Sequence, residues 1–136
     1  MIQQLEIDLS GYSRGFHLVT SKIINQLPEL PEKGLLHLLL RHTSAGLTLN
    51  ENADPSVRDD FERFIGKLIP ENHPLFTHIL EGSDDMPAHI KSSLFGTELT
   101  IPITNRRLNL GTWQGIYLCE FRNRGGNRKL VATILS

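Results

Sequence analysis

Hydrophobic and polar residues alternate with a period of two over several short stretches of the chain. In Ile2 to Leu9, the residues Leu5, Ile7 and Leu9 alternate with polar neighbours, which indicates a half-buried strand. Leu35 to His42 is apolar on both faces, which predicts a central strand that is covered on each side. Further strands are predicted at Leu47–Leu49, Glu98–Ile103, Ile116–Arg122 and Lys129–Leu135.

Apolar residues at helical spacing predict helices elsewhere. The first helix is expected over Phe16 to Leu27, with its firmest part beginning at Thr20 or Ser21. The second is expected to begin at Asp54 and Pro55, because an aspartate is a good N-cap and proline suits the first helical position. The aromatic residues of that helix, Phe61 and Phe64, are expected in the core.

The third helix is expected to follow Gly82 and to end at Gly96. Pro87 suits its first turn, where a missing N–H costs nothing. Ile90 and Leu94 share one stripe of this helix and are expected to face the core.

The order of these elements predicts the fold class. There is no regular alternation of strands and helices, which argues against a doubly wound parallel sheet. We expect an α+β protein with a mainly antiparallel β-sheet or sandwich and about three flanking helices, in one domain over residues 1–136. Gly125 and Gly126 are predicted to form a hairpin turn between the last two strands.

Composition excludes several classes of protein. The net charge of −1, with 14 basic and 15 acidic residues, argues against a protein that binds nucleic acid through a generally basic surface. No apolar stretch approaches membrane-spanning length, and the first residues do not resemble a signal peptide, so we expect a cytoplasmic protein without a membrane partner. Cys119 is the only cysteine, which excludes an intramolecular disulfide, and its place within a strand predicts a buried, inert thiol.

Candidate chemistry is concentrated between Glu81 and Leu94. Two adjacent carboxylates, Asp84 and Asp85, precede a helix on which His89 is predicted to share a face with two serines. A capped surface helix is the simpler interpretation. The two adjacent carboxylates argue against this interpretation, because like charges side by side need a compensating cation, lysine or helix N-terminus.

The remaining histidines and acids extend this group. Together, imidazoles and carboxylates suit zinc or another first-row divalent ion, whereas carboxylates alone would suit magnesium. The candidate constellation is His42, His78, His89, Asp84, Asp85 and Glu120. His37 is expected to be structural because it lies within an apolar strand. Arg122 could pair with phosphate oxygens, and Asn52 precedes a helix N-terminus that could hold an anion or only local turn hydrogen bonds.

Several motifs, taken together, resemble one known family over nearly the whole length of the chain. They are Arg14–His17, His42–Ala45, Leu49–Val57, Glu81–Leu94 and Arg107–Leu118, followed by Glu120, Arg122 and Gly125-Gly126. The chain resembles the YjbQ family of uncharacterised proteins. The resemblance implies a compact, mainly β homotrimer with sites near subunit contacts. It also implies a weak thiamine-phosphate synthase activity, which joins a pyrimidine methyl diphosphate to a thiazole phosphate and releases pyrophosphate.

The resemblance also implies roles for individual residues. His42, His78 and His89 match the three histidine positions of the family and would hold a divalent metal, zinc or magnesium. From the convergence of polar residues at strand ends and at the capped turn, we expect Asp85 and Glu120 to serve as acid–base groups or to support the metal ligands. A small phosphorylated substrate would be bound by Asn52, Lys91, Gln114 and Arg122. The expected function is a metal-dependent transferase acting on phosphorylated heterocycles. A metal-dependent phosphoester hydrolase and a non-enzymatic trimeric binding protein are the alternatives.

Two positions depart from the family pattern. Arg106 stands where a glycine is usual, which raises a question about the backbone of that turn. Ala53 stands where some relatives carry cysteine, so no thiol chemistry is expected there.

Overall fold

The computed structural model describes all residues, 1–136, and confirms the α+β class with two antiparallel sheets and three helices. The strands are β1 (Ile2–Leu9), β2 (Gly15–Leu18), β3 (Lys33–Leu40), β4 (Ala45–Glu51), β5 (Glu98–Thr104), β6 (Arg107–Leu108), β7 (Gln114–Glu120) and β8 (Arg128–Leu135). The helices are α1 (Thr20–Ile24), α2 (Pro55–Leu68) and α3 (Asp85–Phe95). None of the three combines the length and apolar character needed to cross a membrane.

The five strands of the larger sheet are ordered β1-β8-β3-β5-β6, and one face of this sheet forms half of the core. In β3, Leu36 and Leu38 are fully buried on the inner face. Leu35 and Leu39 lie on the outer face and remain 41% and 39% exposed. The expectation that this strand is covered on both sides is therefore wrong, because no helix packs on the outer face.

The smaller sheet, ordered β2-β7-β4, separates the larger sheet from α2 and α3, whereas Ile23 of α1 packs in the core between the sheets. Its inner residues, such as Leu47 and Leu118, join the 16-residue apolar core between the sheets. Its other face carries Phe16, Tyr117 and Cys119, which pack with residues of α2 and α3. Cys119 is fully buried as expected, and burial raises the pKa of its thiol. The smaller sheet, which lies between the larger sheet and α3, places the ends of β4 and β7 beside α3.

The helix predicted over Phe16–Leu27 is wrong before Thr20, whereas the predicted start of its firmest part at Thr20 is confirmed. Residues 15–18 form β2, which pairs with β7, and only Thr20–Ile24 is helical. Phe16 packs against the ring of Phe61 in α2, with centroids 5.2 Å apart. Tertiary pairing and aromatic burial therefore override the helical spacing of these residues.

Helix α2 begins as predicted and packs differently. Asp54 is its N-cap and accepts a hydrogen bond from the N–H of Ser56 at 2.9 Å, with Pro55 at the first position. Phe61 packs against the smaller sheet, but Phe64 is 69% exposed. The prediction that both aromatic residues lie in the core is thus only half right, because α2 buries one narrow stripe.

Helix α3 ends at Gly96, whose φ of +90° suits glycine. The prediction that Ile90 and Leu94 face the core is wrong, and Leu94 is 67% exposed. The buried face instead carries Ala88 and Lys91, because α3 packs along β4 by its opposite side.

The predicted hairpin at Gly125-Gly126 is also wrong, because the segment joins strands of different sheets. β7 pairs with β2 and β4, whereas β8 pairs with β1 and β3. A Cβ on Gly125 would lie 1.9 Å from Oε1 of Glu120. Glycine is required there because the connection passes directly over a buried carboxylate.

Arg106 lies with Asn105 in the two-residue turn between β5 and β6. Both residues have positive φ, 62° for Arg106 and 51° for Asn105, a conformation that favours glycine or asparagine. The guanidinium of Arg106 donates to Glu29 at 2.9 Å. The turn therefore keeps its left-handed backbone without the usual glycine.

Candidate functional site

Asp85, the first residue of α3, is the centre of a compact group of titratable side chains. It is 1% exposed. Its Oδ2 lies 2.7 Å from Nε2 of His78 and 3.1 Å from Nε2 of His89. The ligand atoms of these three residues all lie within 4.8 Å of one another. We call His78, Asp85 and His89 the His–Asp cluster.

Local structure explains how the cluster forms. His89 follows Asp85 by four residues, so the two side chains share one helix face. His78 precedes the helix, and a turn at Gly82, whose φ is +107°, brings its side chain close to the first turn of α3. A Cβ on Gly82 would lie 2.9 Å from Oδ1 of Asp84, so glycine fits this turn for two reasons.

Arg122, just after β7, compensates the two adjacent carboxylates. Its Nε donates to Asp84 at 2.9 Å, its Nη1 to Asp85 at 2.6 Å and its Nη2 to the carbonyl of Glu81 at 2.9 Å. Asp84 also accepts the backbone N–H of Asn123 at 2.9 Å. One planar guanidinium thus fixes the start of α3 and the orientation of Asp85.

These contacts keep both carboxylates ionised. Burial alone would raise the pKa of Asp85, but the hydrogen bond from His78, the imidazole of His89 and the charge of Arg122 outweigh burial and lower the pKa. Burial is likewise outweighed at Asp84, where the N–H of Asn123 and the guanidinium of Arg122 lower the pKa. Asp84 and Asp85 therefore each carry a negative charge at neutral pH.

The orientation of His89 is set from outside the cluster. Its Nδ1 lies 2.8 Å from the carbonyl oxygen of Thr43. Because a carbonyl can only accept, Nδ1 carries a proton, and in neutral His89 the Nε2 lone pair then faces Asp85. A carbonyl that holds the far nitrogen of an imidazole in this way is the usual support of a metal-binding histidine.

His42 lines the same open cleft as His89 but lies outside the cluster. Its Nε2 accepts the backbone N–H of Lys129 at 2.8 Å, so neutral His42 carries its proton on Nδ1. Burial and the charge of Arg128 lower the pKa of His42. His42 therefore offers a hydrogen-bond donor to a ligand in the cleft.

The cleft beside His89 is polar throughout. It has a volume of about 450 Å³ and no apolar side chain in its lining. Besides the two histidines, its lining is Thr43, Ser92, Ser93, Gly96 and Thr97. The expectation that His89 and the two serines share one helix face is confirmed. Hydroxyl groups at this density suit a ligand with several oxygen atoms.

Glu120 lies beneath this region, between the sheets. It is fully buried and accepts two hydrogen bonds from Arg128, at 2.7 and 2.6 Å. The backbone N–H of Arg122 donates to it at 3.1 Å. Arg128 also donates to Oγ of Ser44 at 3.0 Å, so the ion pair has partners on both sides. Glu120 influences His42 through its charge.

Two predicted substrate residues lie at the other end of the smaller sheet. Asn52 follows β4 and donates to the carbonyls of Thr112 and Gln114 at 3.1 and 3.2 Å. The side chain of Gln114 accepts the N–H of Gly111 at 2.8 Å. The length of β4, about 20 Å for seven residues, separates them from the His–Asp cluster.

Lys91 lies on the side of α3 opposite to His89. It is 1% exposed, makes no hydrogen bond, and its Nζ lies 5.7 Å from the centroid of the Phe121 ring. Burial and the charge of Arg14 lower the pKa of its amine. Of the four predicted substrate residues, the structure therefore places only Arg122 in direct contact with the cluster.

Comparison with known proteins agrees with this architecture. The family model described as UPF0047 protein YjbQ-like matches residues 4–136. The chain belongs to this family. UPF0047 protein YjbQ of Escherichia coli O157:H7 is 55% identical over 98% of both chains.

Solved structures agree with the fold of this YjbQ-like chain. A conserved hypothetical protein from Thermus thermophilus has a TM-score of 0.80 at 35% identity, over 98% of this chain and 99% of that one. An uncharacterised YjbQ/UPF0047 protein from Clostridium acetobutylicum has a TM-score of 0.81 at 36% identity, over 96% of this chain and 99% of that one. The names of these relatives state no activity, so function must be argued from the site.

Sequence reasoning missed some parts of the YjbQ-like site. The sequence predicted His42, His78 and His89 as metal ligands and Asp85 as an acid–base or supporting group. The structure brings Asp85, His78 and His89 together and places His42 in the adjoining cleft. The spacing of four residues between Asp85 and His89 was an available signal for this grouping. No sequence signal indicated the carbonyl of Thr43, because a backbone atom has no residue signature.

Proposed function

We propose that this YjbQ-like chain is a metal-dependent transferase that acts on phosphorylated heterocycles, with weak thiamine-phosphate synthase activity. The supporting observation is the tautomer of His89. With Nδ1–H bonded to Thr43, neutral His89 directs a lone pair at the anionic Asp85 from 3.1 Å. Two electron-rich atoms at that distance repel each other unless a proton or a metal ion lies between them.

The donor set favours zinc over magnesium. Two imidazole nitrogens and one carboxylate oxygen form the usual protein share of a catalytic zinc site, which keeps further positions for water or substrate. Magnesium prefers oxygen ligands alone. His78, Asp85 and His89 would therefore hold a zinc-like ion, with Arg122 orienting Asp85 from behind.

The cleft residues would complete the site. The ion would supply positive charge for the oxygens of a diphosphate. The Nδ1–H of His42 and the hydroxyls of Ser92 and Ser93 would donate hydrogen bonds to the same oxygens. In the transfer, the carbon–oxygen bond to the diphosphate breaks and a bond to the ring nitrogen of the thiazole forms. No net proton transfer is required, so donors that hold the leaving diphosphate are sufficient.

Elemental analysis of protein purified without a chelator or a histidine tag tests the metal. We expect about one zinc-like ion per chain, lost in His89→Ala and Asp85→Asn. His17→Ala is the matched control, because His17 contacts the carbonyl of Ser13 and lies outside both the cluster and the polar cleft. Absence of any ion from folded wild-type protein would refute the metal-dependent mechanism.

A metal-dependent phosphoester hydrolase is the second candidate. The side chain of His78 is 48% exposed, so water has access to the cluster. Hydrolysis of p-nitrophenyl phosphate should be compared with thiamine-phosphate synthesis in the same zinc-loaded preparation. Hydrolysis at the higher rate, lost in Asp85→Asn, would favour the hydrolase and make the synthase activity incidental.

We also propose that the chain assembles as a homotrimer. The support is the outer face of the larger sheet, which exposes apolar side chains that no helix covers. They are Ile2, Leu35, Leu39 and Leu135. Light scattering should give three times the 15.4 kDa chain mass. Leu35→Glu should dissociate the assembly, and Leu80→Glu, on a residue that is 96% exposed outside this sheet, should not. A monomeric wild-type protein would refute the proposal.

A further inference from the structure

A second pocket lies on the other side of the His–Asp cluster. The polar cleft reaches the cluster at His89, whereas this pocket, of about 370 Å³, reaches it at His78. The rings of His78 and His89 are only 5.4 Å apart, centroid to centroid. One small molecule could therefore place one end in the polar cleft and the other end in this pocket, with a short linker passing the cluster.

The chemistry of the second pocket differs from that of the cleft. Its walls include the ring of Phe76, the branched side chain of Ile79 and the thioether of Met86. Phenyl rings and thioethers make favourable contacts with aromatic ligands. The cleft presents hydroxyls and no apolar side chain, so the two sides of the cluster suit opposite ends of an amphiphilic ligand.

The aromatic wall of this pocket is held in place by local contacts. The N–H of Phe76 donates to the carbonyl of His73 at 3.0 Å, and Nδ1 of His73 accepts the N–H of Leu75 at 3.1 Å. The rings of His73 and Phe76 lie 5.4 Å apart at 43°. On the opposite side, Met86 is fixed within the first turn of α3. A wall built in advance binds a ring with little loss of conformational entropy.

We propose that the pocket beside His78 binds the aromatic ring of a phosphate ester whose phosphate group occupies the cluster and the polar cleft. This inference rests on the proposed function and deepens it, because it assigns the ring of the proposed substrate class to a defined subsite. Phe76, Ile79 and Met86 are the residues that select the ring.

Calorimetric titration with phenyl phosphate and methyl phosphate tests this inference, because the two probes share the phosphate and differ in the ring. Each is titrated into wild-type protein with and without zinc. We expect phenyl phosphate to bind about tenfold more tightly, since the pocket removes part of the ring from water. Phe76→Ala should reduce this preference to less than about threefold and leave methyl phosphate unaffected. Leu75→Ala, on the exposed neighbouring residue, is the matched control.

The outcomes separate the two proposals. Binding that does not depend on zinc would refute the metal site, while a ring preference lost in Phe76→Ala would still support the ring pocket. Equal affinity for the two probes, no measurable binding of phenyl phosphate, or a preference that survives Phe76→Ala would overturn the ring pocket. Ile79→Ala is a second test, because Ile79 is 65% exposed and its truncation should leave the fold intact; it too should lower the preference.

Discussion

Asp85→Asn is the substitution that most directly tests the assignment of the His–Asp cluster. Asparagine keeps the size of the side chain and removes its charge. One oxygen that accepts from Arg122 at 2.6 Å or from His78 at 2.7 Å is replaced by an amide NH₂, which donates. The variant therefore places donor against donor in a site that is almost completely buried.

The size of the effect follows from these contacts. Losing one partner of a buried ion pair costs about 3–5 kcal/mol when the other charge is left alone. Here Arg122 keeps Asp84 and the carbonyl of Glu81, so we expect a loss of about 2–3 kcal/mol in the free energy of unfolding. For a chain of this length, that corresponds to a decrease in Tm of roughly 6–12 °C. Zinc affinity should fall by more than about 100-fold, because one of the three proposed metal ligands is removed.

Urea unfolding and zinc competition with a chromophoric chelator measure the two effects. Asp84→Asn is the matched variant, because Asp84 shares Arg122 but touches neither histidine. It should lose similar stability and keep zinc affinity within about tenfold. Asp60→Asn, on a side chain that is 72% exposed, should change neither quantity appreciably. If Asp85→Asn keeps both the urea midpoint and the zinc affinity of the wild type, the assignment of the cluster is wrong.

Three further predictions concern stability. Lys91→Met should leave the urea midpoint unchanged or raise it, since a buried amine without a hydrogen bond is replaced by an apolar chain of similar length; a loss above about 2 kcal/mol would contradict this. The pKa of His42 is lower in the folded state, so the unfolded chain binds the proton first as pH falls. The stability contributed by neutral His42 is therefore fully present above the ordinary pKa of about 6.5 and is lost as pH falls through the folded pKa. His42→Gln should flatten the dependence of the urea midpoint on pH in that range, and an unchanged slope would refute the assignment. At the left-handed turn, Arg106→Gly should be more stable than Arg106→Ala by about 1 kcal/mol in thermal unfolding, because both lose the contact with Glu29 and only glycine relieves the backbone; equal stabilities would contradict this.

The sequence by itself determined the elements whose signals are local. The N-cap at Asp54, the end of α3 at Gly96 and the common face of His89 with its serines all depend on residues within a few positions of one another. These interactions form within one turn of helix, so their pattern is visible without the rest of the chain. Family resemblance added the identity of the fold.

Only the tertiary structure decided which elements meet. Phe16 lies in a strand because its segment pairs with β7. Gly125-Gly126 connects two different sheets and does not form a hairpin. The covered side of α3 and the exposed outer face of β3 were set in the same way, since burial depends on neighbours that are distant in sequence.

The candidate site shows both kinds of information together. The helix spacing that brings Asp85 and His89 onto one face was present in the sequence. The guanidinium of Arg122, 37 residues from Asp85, and the backbone carbonyl of Thr43, 46 residues from His89, were not. Electrostatic and hydrogen-bond energies depend on distances of a few ångströms, and folding alone brings such remote atoms to that distance.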